Sequence, residues 1–334
     1  MPNYLDSDIE LVREAVANSQ SFLLTCHVHP DGDALGSSMA MFHALKSIGK
    51  NVVATFPNPF VIPESLKSTL PGIENVLSMQ EVVDLKLKFD VAMTFDCGSR
   101  TRLGGLEKLL NEAKTFINVD HHLSNEKFGD INIIDIEAAS SGSVVLTILD
   151  ACEIELDKDS AQCLYVALLT DTGRFQFSST NSKVFDQASR LAKFDLPIAE
   201  MSRILTEEDP FAFLKLAGQA LSLMEFDFDS KLVSAVSTVE MRDAHGVKYD
   251  ETEGLIEIVR RTRESDVACV VKEFEKGDYR VSLRSLGEID VCIIAESKGG
   301  GGHRFAAGFT STDAPQEIIS SVRSEINSQR GSRK

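Results

Sequence analysis

The chain has 334 residues, of which 43% are hydrophobic and 25% are charged, so it can build a sizeable core, and its length favours about two domains. Its net charge of −17 disfavours proteins that track long nucleic acid with a basic surface, and no apolar run reaches the roughly 18 residues that cross a membrane. The first residues lack the basic and then apolar layout of a signal peptide, so we expect a cytoplasmic protein.

The cysteines and the distribution of charge narrow the class of protein further. Six cysteines are scattered without a CxxC pair, which indicates neither a disulfide framework nor a zinc knuckle. Residues 1–250 carry 21 Lys and Arg against 37 Asp and Glu, whereas residues 251–334 carry 13 against 14. We therefore expect this nearly neutral C-terminal part to receive a small anionic substrate, with metal ions offsetting the acidity of the part before it.

The spacing of apolar residues predicts alternating strands and helices in the first half of the chain. The predicted strands cover residues 22–26, 52–56, 91–95, 116–119 and 131–136. The predicted helices cover residues 8–18, 34–48, 106–113, 143–151 and 161–169, and a short extended piece is predicted at 175–177. This alternation indicates a mostly parallel sheet with right-handed crossovers, flanked by helices.

The second half of the chain predicts a smaller α/β domain. From residue 183 to about 225 the pattern is helical and is broken by Pro197 and Pro210, and we place the domain connection there. Strands are then predicted at 232–239, 267–274 and 279–284, and helices at 254–263, 291–297 and 315–326. We thus predict an α/β protein with a catalytic domain over 1–188, a helical connection over 189–225 and a substrate-binding domain over 226–330.

Acidic and histidine side chains follow three of the predicted strands at the point where each strand ends. They are, strand by strand, His27, Asp31 and Asp33; Asp96; and Asp120, His121 and His122. Asp171 is added from the end of a helix. Because the carboxyl ends of parallel strands share one edge, outside which ligands bind, we expect these side chains to converge. Carboxylates so close together repel one another, and cations resolve this, with enough ligands for two ions.

The ligand types limit the metal. No thiolate is placed for a closed structural zinc site, and mixed carboxylate and imidazole ligands suit Mn²⁺, with Mg²⁺, Fe²⁺ and Co²⁺ as alternatives. Two ions a few Å apart are suited to phosphoester hydrolysis. Taken singly, Asp31 or Asp33 would fit a helix N-cap and Asp96 a turn, but the joint pattern favours a metal site.

A run of four glycines at 299–302, followed by His303 and the apolar FAAGF, has two interpretations. Four glycines usually indicate a flexible surface loop. Alternatively, backbone N–H groups without neighbouring Cβ atoms can approach a phosphate or carboxylate closely. The apolar continuation favours the second interpretation, a packed anion-binding loop.

The motifs HVHPDGD, FDCGSRTRLG, VDHH and TDTGRF resemble the four motifs of the DHH phosphoesterase superfamily, and GGGGHRFAAGF resembles the glycine-rich signature of its associated C-terminal domain. Five motifs in the right order, from about residue 21 to 309, make the resemblance specific. The length and the lack of extra domains resemble the NrnA-type branch. Members of that branch are nano-RNases that degrade very short RNA and dephosphorylate 3′-phosphoadenosine 5′-phosphate (pAp).

The resemblance implies roles for individual residues. Metal ligands would be His27, Asp31, Asp33, Asp96, His121 and Asp171, with Asp96 bridging the two ions. Asp120 would orient a histidine, and His122 would lie beside the scissile phosphate, so these two form the expected catalytic pair. The expected substrate-binding residues are Arg284, Gly300, Gly301, Gly302, His303 and Arg304, which would hold the distal 5′ end.

The function expected from all this is a Mn²⁺-dependent phosphoesterase that hydrolyses short oligoribonucleotides, such as the dinucleotide pApA, to mononucleotides and also converts pAp to AMP. A cyclic di-AMP phosphodiesterase is the first alternative, because the metal motifs and the glycine loop are shared with such enzymes. A non-catalytic nucleotide-binding protein is the second. We expect small nucleotides or short RNA as partners and no long nucleic acid or membrane, and analogy with the family suggests a homodimer.

Overall fold

The computed structural model describes residues 6–58 and 62–331, apart from the side chains of Asp6, Ser7 and His303. The chain forms two compact units, Met1–Glu208 and Asp209–Lys334, so the helical connection predicted over 189–225 is divided between them. The domain limits inferred from the sequence stay a prediction. Among the described residues, no helix combines the length and apolar character needed to cross a bilayer.

The N-terminal unit contains a five-stranded sheet in the order β2-β1-β3-β4-β5, with every neighbouring pair parallel. Its strands are β1 (Ser21–Cys26), β2 (Asn51–Ala54), β3 (Val91–Phe95), β4 (Thr115–Asp120) and β5 (Ile131–Ile134). The predicted parallel sheet is therefore confirmed. Strands β1, β3 and β4 are buried along nearly their whole length because both faces of the sheet are covered.

Helices cover both faces of this sheet. They are α1 (Asp6–Asn18), α2 (Gly32–Ser47), α3 (Glu64–Thr69), α4 (Met79–Asp84), α5 (Glu107–Asn111), α6 (Ser141–Ala151), α7 (Lys158–Asp171), α8 (Ser182–Ala192) and α9 (Ile198–Thr206). One face packs on α1, α2, α6 and α7, through strand residues such as Leu24 and Met93. The opposite face, with Leu23 and Ala92, packs on α4 and α5.

Two glycines allow α2 to approach α7 closely. A Cβ atom at Gly36 would lie 2.6 Å from the carbonyl oxygen of Cys163, and one at Gly32 would lie 2.5 Å from the side chain of Thr170. Since the two glycines are four residues apart, they lie on the same face of α2. The N-terminus of α2 is thereby brought next to the C-terminal end of α7, where Asp171 lies.

The C-terminal unit contains a six-stranded mixed sheet in the order β10-β11-β9-β8-β7-β6. Its strands are β6 (Glu225–Asp227), β7 (Leu232–Ser237), β8 (Val267–Glu275), β9 (Asp278–Ser285), β10 (Gly301–His303) and β11 (Ala306–Ser311). Its helices are α10 (Phe211–Ser222), α11 (Val239–His245), α12 (Leu255–Val259), α13 (Val291–Glu296) and α14 (Pro315–Gly331). Helices α13 and α14 pack on one face, and α10, α11 and α12 pack on the other.

Two local predictions differ from the structure. Residues 175–177, predicted as extended, continue a turn in which Gly173, Arg174 and Phe175 all have positive φ. The carbonyl of Thr172 accepts the amides of Gln176 and Phe177, and these bonds hold the turn closed. The helix predicted over 254–263 ends at Val259, because the chain turns there before β8.

Candidate metal centre

The segments that follow β1 and β3 bring one group of ligand atoms together. Nε2 of His27 lies 3.3 Å from Oδ2 of Asp96 and 3.9 Å from Oδ2 of Asp31. His27 and Asp96 are almost fully buried, whereas the Asp31 side chain is 61% exposed. These three side chains, the first ligand group, offer atoms close enough to share one metal ion.

A second ligand group lies beside the first. Nε2 of His121 lies 3.4 Å from Oδ2 of Asp171 and 3.8 Å from Oδ2 of Asp33, and these three residues also have the spacing for one ion. Oδ1 of Asp96 is 3.5 Å from the same His121 nitrogen. Because Asp96 faces the first group with Oδ2 and the second with Oδ1, it lies between the two.

Backbone carbonyls orient both imidazole rings. Nδ1 of His27 lies 2.7 Å from the carbonyl oxygen of Val28, and Nδ1 of His121 lies 3.2 Å from that of Ala138. A carbonyl accepts only from N–H, so these contacts favour the tautomer with the proton on Nδ1 of each neutral ring. The Nε2 lone pair of each ring then faces its carboxylates, as a metal-binding histidine requires.

Asp31 also caps a helix, and Asp96 has an unusual backbone conformation. Oδ1 of Asp31 accepts the amides of Asp33 and Ala34 and so caps α2, while its Oδ2 belongs to the first ligand group. The N-cap and ligand interpretations of Asp31 are therefore compatible. Asp96 has a φ of 55°, a left-handed conformation that aspartate tolerates better than most residues.

Asp120 is buried and holds its neighbours in place. Its Oδ1 accepts the amides of His121 and His122 and lies 2.7 Å from Nδ1 of the His122 ring. Its Oδ2 accepts from the side-chain amide of Asn125. Asp120 therefore fixes the backbone of both histidines and the ring of His122, and its catalytic role stays a prediction.

Sequence reasoning missed the start of α6. The amides of Ser141 and Gly142 donate to the two carboxylate oxygens of Asp33 over 2.6 and 3.0 Å, and the Ser141 hydroxyl donates to Oδ1 of Asp96 over 3.0 Å. Ser37 adds a third donor to Asp33. Ser141 thus contacts one ligand of the second group and the shared Asp96.

Arg102 was also missed, although it lies within a recognised motif. Its guanidinium is 3.0 Å from Nδ1 of His27, and its carbonyl accepts the amide of Val28. It adds a positive charge at the edge of the first ligand group.

The electrostatics of the cluster favour cations. Burial, with the charges of Asp96 and Asp171, holds the pKa of the Asp33 carboxyl well above its usual range, and burial raises the pKa of Asp171 to about 7. Burial alone would lower the pKa of His121, but the surrounding carboxylates raise it to about 9. Divalent ions would instead favour ionised carboxylates and neutral imidazoles, and this oxygen and nitrogen donor set fits such ions.

The glycine run of the C-terminal unit leads into β10, the edge strand of the sheet, and is not a free loop. Gly301 and Gly302 pair with β11, and a Cβ atom at Gly300 or Gly302 would lie 2.1 or 2.5 Å from a carbonyl oxygen of β11 or its start. The amide of Gly300 donates to the carbonyl of Ala295, so it is already used within the protein. The backbone of His303 belongs to β10, but its side chain lies outside the described residues.

Arg284 and Arg304 lie on neighbouring parts of the same unit. Arg284 is on β9 opposite Ala306, and its Nε donates to Oε1 of Glu257 over 3.0 Å. The guanidinium of Arg304 lies over the ring of Phe305, 5.4 Å from its centre. The structure therefore brings Arg284 beside an acidic partner that the sequence did not suggest.

Comparison with known families agrees with this arrangement. Residues 21–168 match the N-terminal domain of the DHH family, and residues 229–328 match the DHHA1 domain. The chain belongs to the DHH family. The resemblance inferred from the five motifs is thereby confirmed, and the DHH signature of this member is Asp120, His121 and His122.

Relatives of this DHH protein match it over most of its length. A bifunctional oligoribonuclease and PAP phosphatase NrnA from Thermus thermophilus is 29% identical, over 97% of this chain and 96% of the relative. A cyclic-di-AMP phosphodiesterase GdpP from Geobacillus thermodenitrificans is 26% identical, over 87% of this chain and 45% of the relative. The crystal structure of an exopolyphosphatase-related protein from Bacteroides fragilis has a TM-score of 0.89 and 26% identity, over 97% and 96% of the two chains.

Proposed function

We propose that this DHH protein is a metal-dependent hydrolase of phosphoester bonds, which cleaves short oligoribonucleotides to mononucleotides and converts pAp to AMP. The observation that carries the proposal is the two ligand groups on either side of Asp96, whose Oδ1 lies 3.5 Å from His121 and 3.4 Å from His122. The NrnA relative from Thermus thermophilus, matched almost end to end, supports the substrate class.

The first ion would be held by His27, Asp31 and Asp96, and the second by Asp33, His121 and Asp171 with Asp96 shared. Mn²⁺ is our choice, since mixed carboxylate and imidazole ligands suit it, with Mg²⁺, Fe²⁺ and Co²⁺ as alternatives. Two such ions supply Lewis acidity to a phosphoester and lower the pKa of water. The carboxylates of this chain would keep the ions together and offset their charge.

His122 and Asp120 have a separate role in the proposal. Asp120 is buried and hydrogen-bonded to Nδ1 of His122, which fixes the ring and the position of its proton. Burial alone would lower the pKa of His122, but the hydrogen bond to Asp120 and the charge of Asp96 raise it. His122 is thus suited to stabilise the scissile phosphate or to supply a proton to the leaving oxygen.

The C-terminal domain, proposed over residues 226–330, would hold the non-scissile end of the substrate. Arg284 presents a planar guanidinium, which can bind two phosphate oxygens at once. The further proposed contacts are Gly301, Gly302, His303 and Arg304. Gly300 is expected to be a contact too, but its amide already donates within the protein, so we propose that it serves to let the chain pack closely. A homodimer stays a prediction from analogy.

Product analysis by chromatography tests the proposal. Purified protein with Mn²⁺ is offered pAp, pApA, a longer RNA and cyclic di-AMP separately, with Asp96→Ala as the inactive control. Release of AMP from pAp and pApA, with cyclic di-AMP intact, is the expected result. Full activity of Asp96→Ala would overturn the metal assignment.

A cyclic di-AMP phosphodiesterase is the second candidate, favoured by the similarity to GdpP over 87% of this chain. Rapid opening of cyclic di-AMP in the same assay would establish that function and leave the metal chemistry as argued. Binding of nucleotides without turnover of any of them would instead support a non-catalytic nucleotide-binding protein.

A further inference from the structure

Basic side chains gather on one face of the C-terminal sheet. Lys272 on β8 and Arg280 on β9 are directly paired, and Arg284 lies two pleats further along β9 on the same face, since successive side chains alternate. Burial is the largest cause that lowers the pKa of Lys272, and the charges of Arg280 and Arg284 lower it further. Three cations on one face of a sheet are unexpected in a chain whose net charge is −17.

Two glutamates near α12 neutralise part of this charge. Glu253 and Glu257 are four residues apart and face the strands: Oε1 of Glu253 lies 2.6 Å from Nζ of Lys272, and Oε1 of Glu257 accepts from Nε of Arg284 over 3.0 Å. Each glutamate therefore takes one cation of the sheet.

Glu257 binds a second arginine with its other oxygen. Oε2 of Glu257 accepts from Nε of Arg260, whose side chain is only 16% exposed. Arg261 and Arg263, close by in sequence, are exposed. Burial therefore separates Arg260 from the other two arginines.

We propose that Glu257 positions Arg260 and Arg284 as a two-arginine site for the non-scissile 5′-phosphate of the substrate. The inference rests on the proposed function for Arg284, and its new elements are Arg260 as a second phosphate-binding residue and Glu257 as a positioning residue.

The hydrogen-bond geometry supports this arrangement. Glu257 takes the Nε–H of both arginines, and Nη1 of Arg284 also donates to the carbonyl of Leu283. These bonds fix the planes of the guanidinium groups and leave Nη hydrogens of Arg284 for a phosphate. An arginine whose fork is already fixed loses less conformational entropy when it binds an anion.

The charge of the cluster also matches the ligand. Arg260, Lys272, Arg280 and Arg284 face two carboxylates, so the cluster as a whole is positive. A terminal phosphate carries roughly −1.5 to −2 charges at pH 7, which would offset the net positive charge of the cluster. An internal phosphodiester carries one negative charge, so the site would prefer a substrate with a free 5′-phosphate over one with a 5′-hydroxyl.

Calorimetric titration of the full chain with AMP and with adenosine, in EDTA, tests the inference without turnover. We expect AMP to bind the wild-type protein at least tenfold more tightly than adenosine, and Arg260→Ala to remove most of that difference. Arg260→Lys should be intermediate, because lysine keeps the charge but lacks the planar fork. Arg261→Ala, an exposed neighbour, should bind like the wild type. Unchanged AMP affinity in folded Arg260→Ala protein would overturn the inference.

Steady-state kinetics then distinguish a role of Glu257 in positioning the two arginines from a purely structural role. With pApA we expect Glu257→Gln to raise KM with little change in kcat, and with the 5′-hydroxyl dinucleotide ApA we expect no change in KM. A fall in KM for pApA would mean that Glu257 competes with the phosphate and would refute its positioning role. Absence of all turnover by the wild type would refute the proposed function, while the AMP titration would still decide the inference.

Discussion

Replacing Ser141 by alanine removes one hydroxyl group that lies outside both ligand groups but contacts a shared ligand. The hydroxyl donates to Oδ1 of Asp96 over 3.0 Å, and both residues are almost completely buried. Loss of a hydrogen bond to a buried charged group costs about 1.5–3 kcal/mol. Such changes around metal ligands typically weaken metal affinity by about 10- to 100-fold. We expect a loss in that range for Mn²⁺.

Ser141→Ala tests the hydroxyl group alone, because alanine keeps the backbone amide that donates to Asp33. Calorimetric titration with Mn²⁺ measures the affinity directly, and Ser141→Thr, which keeps a hydroxyl, should recover most of it. Ser143→Ala is the matched control, since the Ser143 hydroxyl is in the same helical turn but bonds Gln187. Wild-type Mn²⁺ affinity in Ser141→Ala, or an equal loss in Ser143→Ala, would refute the reasoning.

Further predictions concern stability and catalysis. The pKa of Asp90 is lowered by its hydrogen bonds to Lys114 and to two backbone amides. The ionised carboxylate therefore stabilises the fold above the unfolded pKa of about 4, and this stabilisation is lost as the pH falls below that value. Asp90→Asn should lower the urea midpoint at pH 7 and differ less from the wild type at pH 3. Gly36→Ala should cost about 1–3 kcal/mol in urea unfolding because its Cβ would meet the backbone of α7, whereas Gly218→Ala, which meets no atom, should be neutral or slightly stabilising. His122→Ala should lower kcat by about 10²- to 10⁴-fold while the protein still binds metal, and equal loss of metal binding would contradict the separate role of His122.

The sheet and the convergence of ligands were predictable because both depend on local patterns. His27, Asp96 and His121 each follow a strand directly, and the topology of parallel strands then brings them to one edge. Ser141 was not predictable, because its partners Asp33 and Asp96 lie 108 and 45 residues away in sequence. No periodicity or spacing marks such a contact.

Arg260 and the turn after Asp171 show two other limits of the sequence. The helix ends at Val259, earlier than its apolar spacing suggests. The side chain of Arg260 is held against Glu257 and is only 16% exposed, which the sequence pattern does not indicate. The positive φ of Arg174 and Phe175 is unfavourable for both residue types, so local preference predicts an extended piece. The hydrogen bonds to Thr172 oppose that preference.

The central claim is that two ions are held by ligand groups sharing Asp96. Electron paramagnetic resonance of the Mn²⁺-loaded protein, combined with elemental analysis, tests it most directly. We predict two Mn²⁺ per chain with the spectrum of a coupled pair, as expected for ions about 4 Å apart, and loss of the coupling in folded Asp96→Ala protein. A single uncoupled ion in the wild type, or an unchanged coupled pair in Asp96→Ala, would contradict the account.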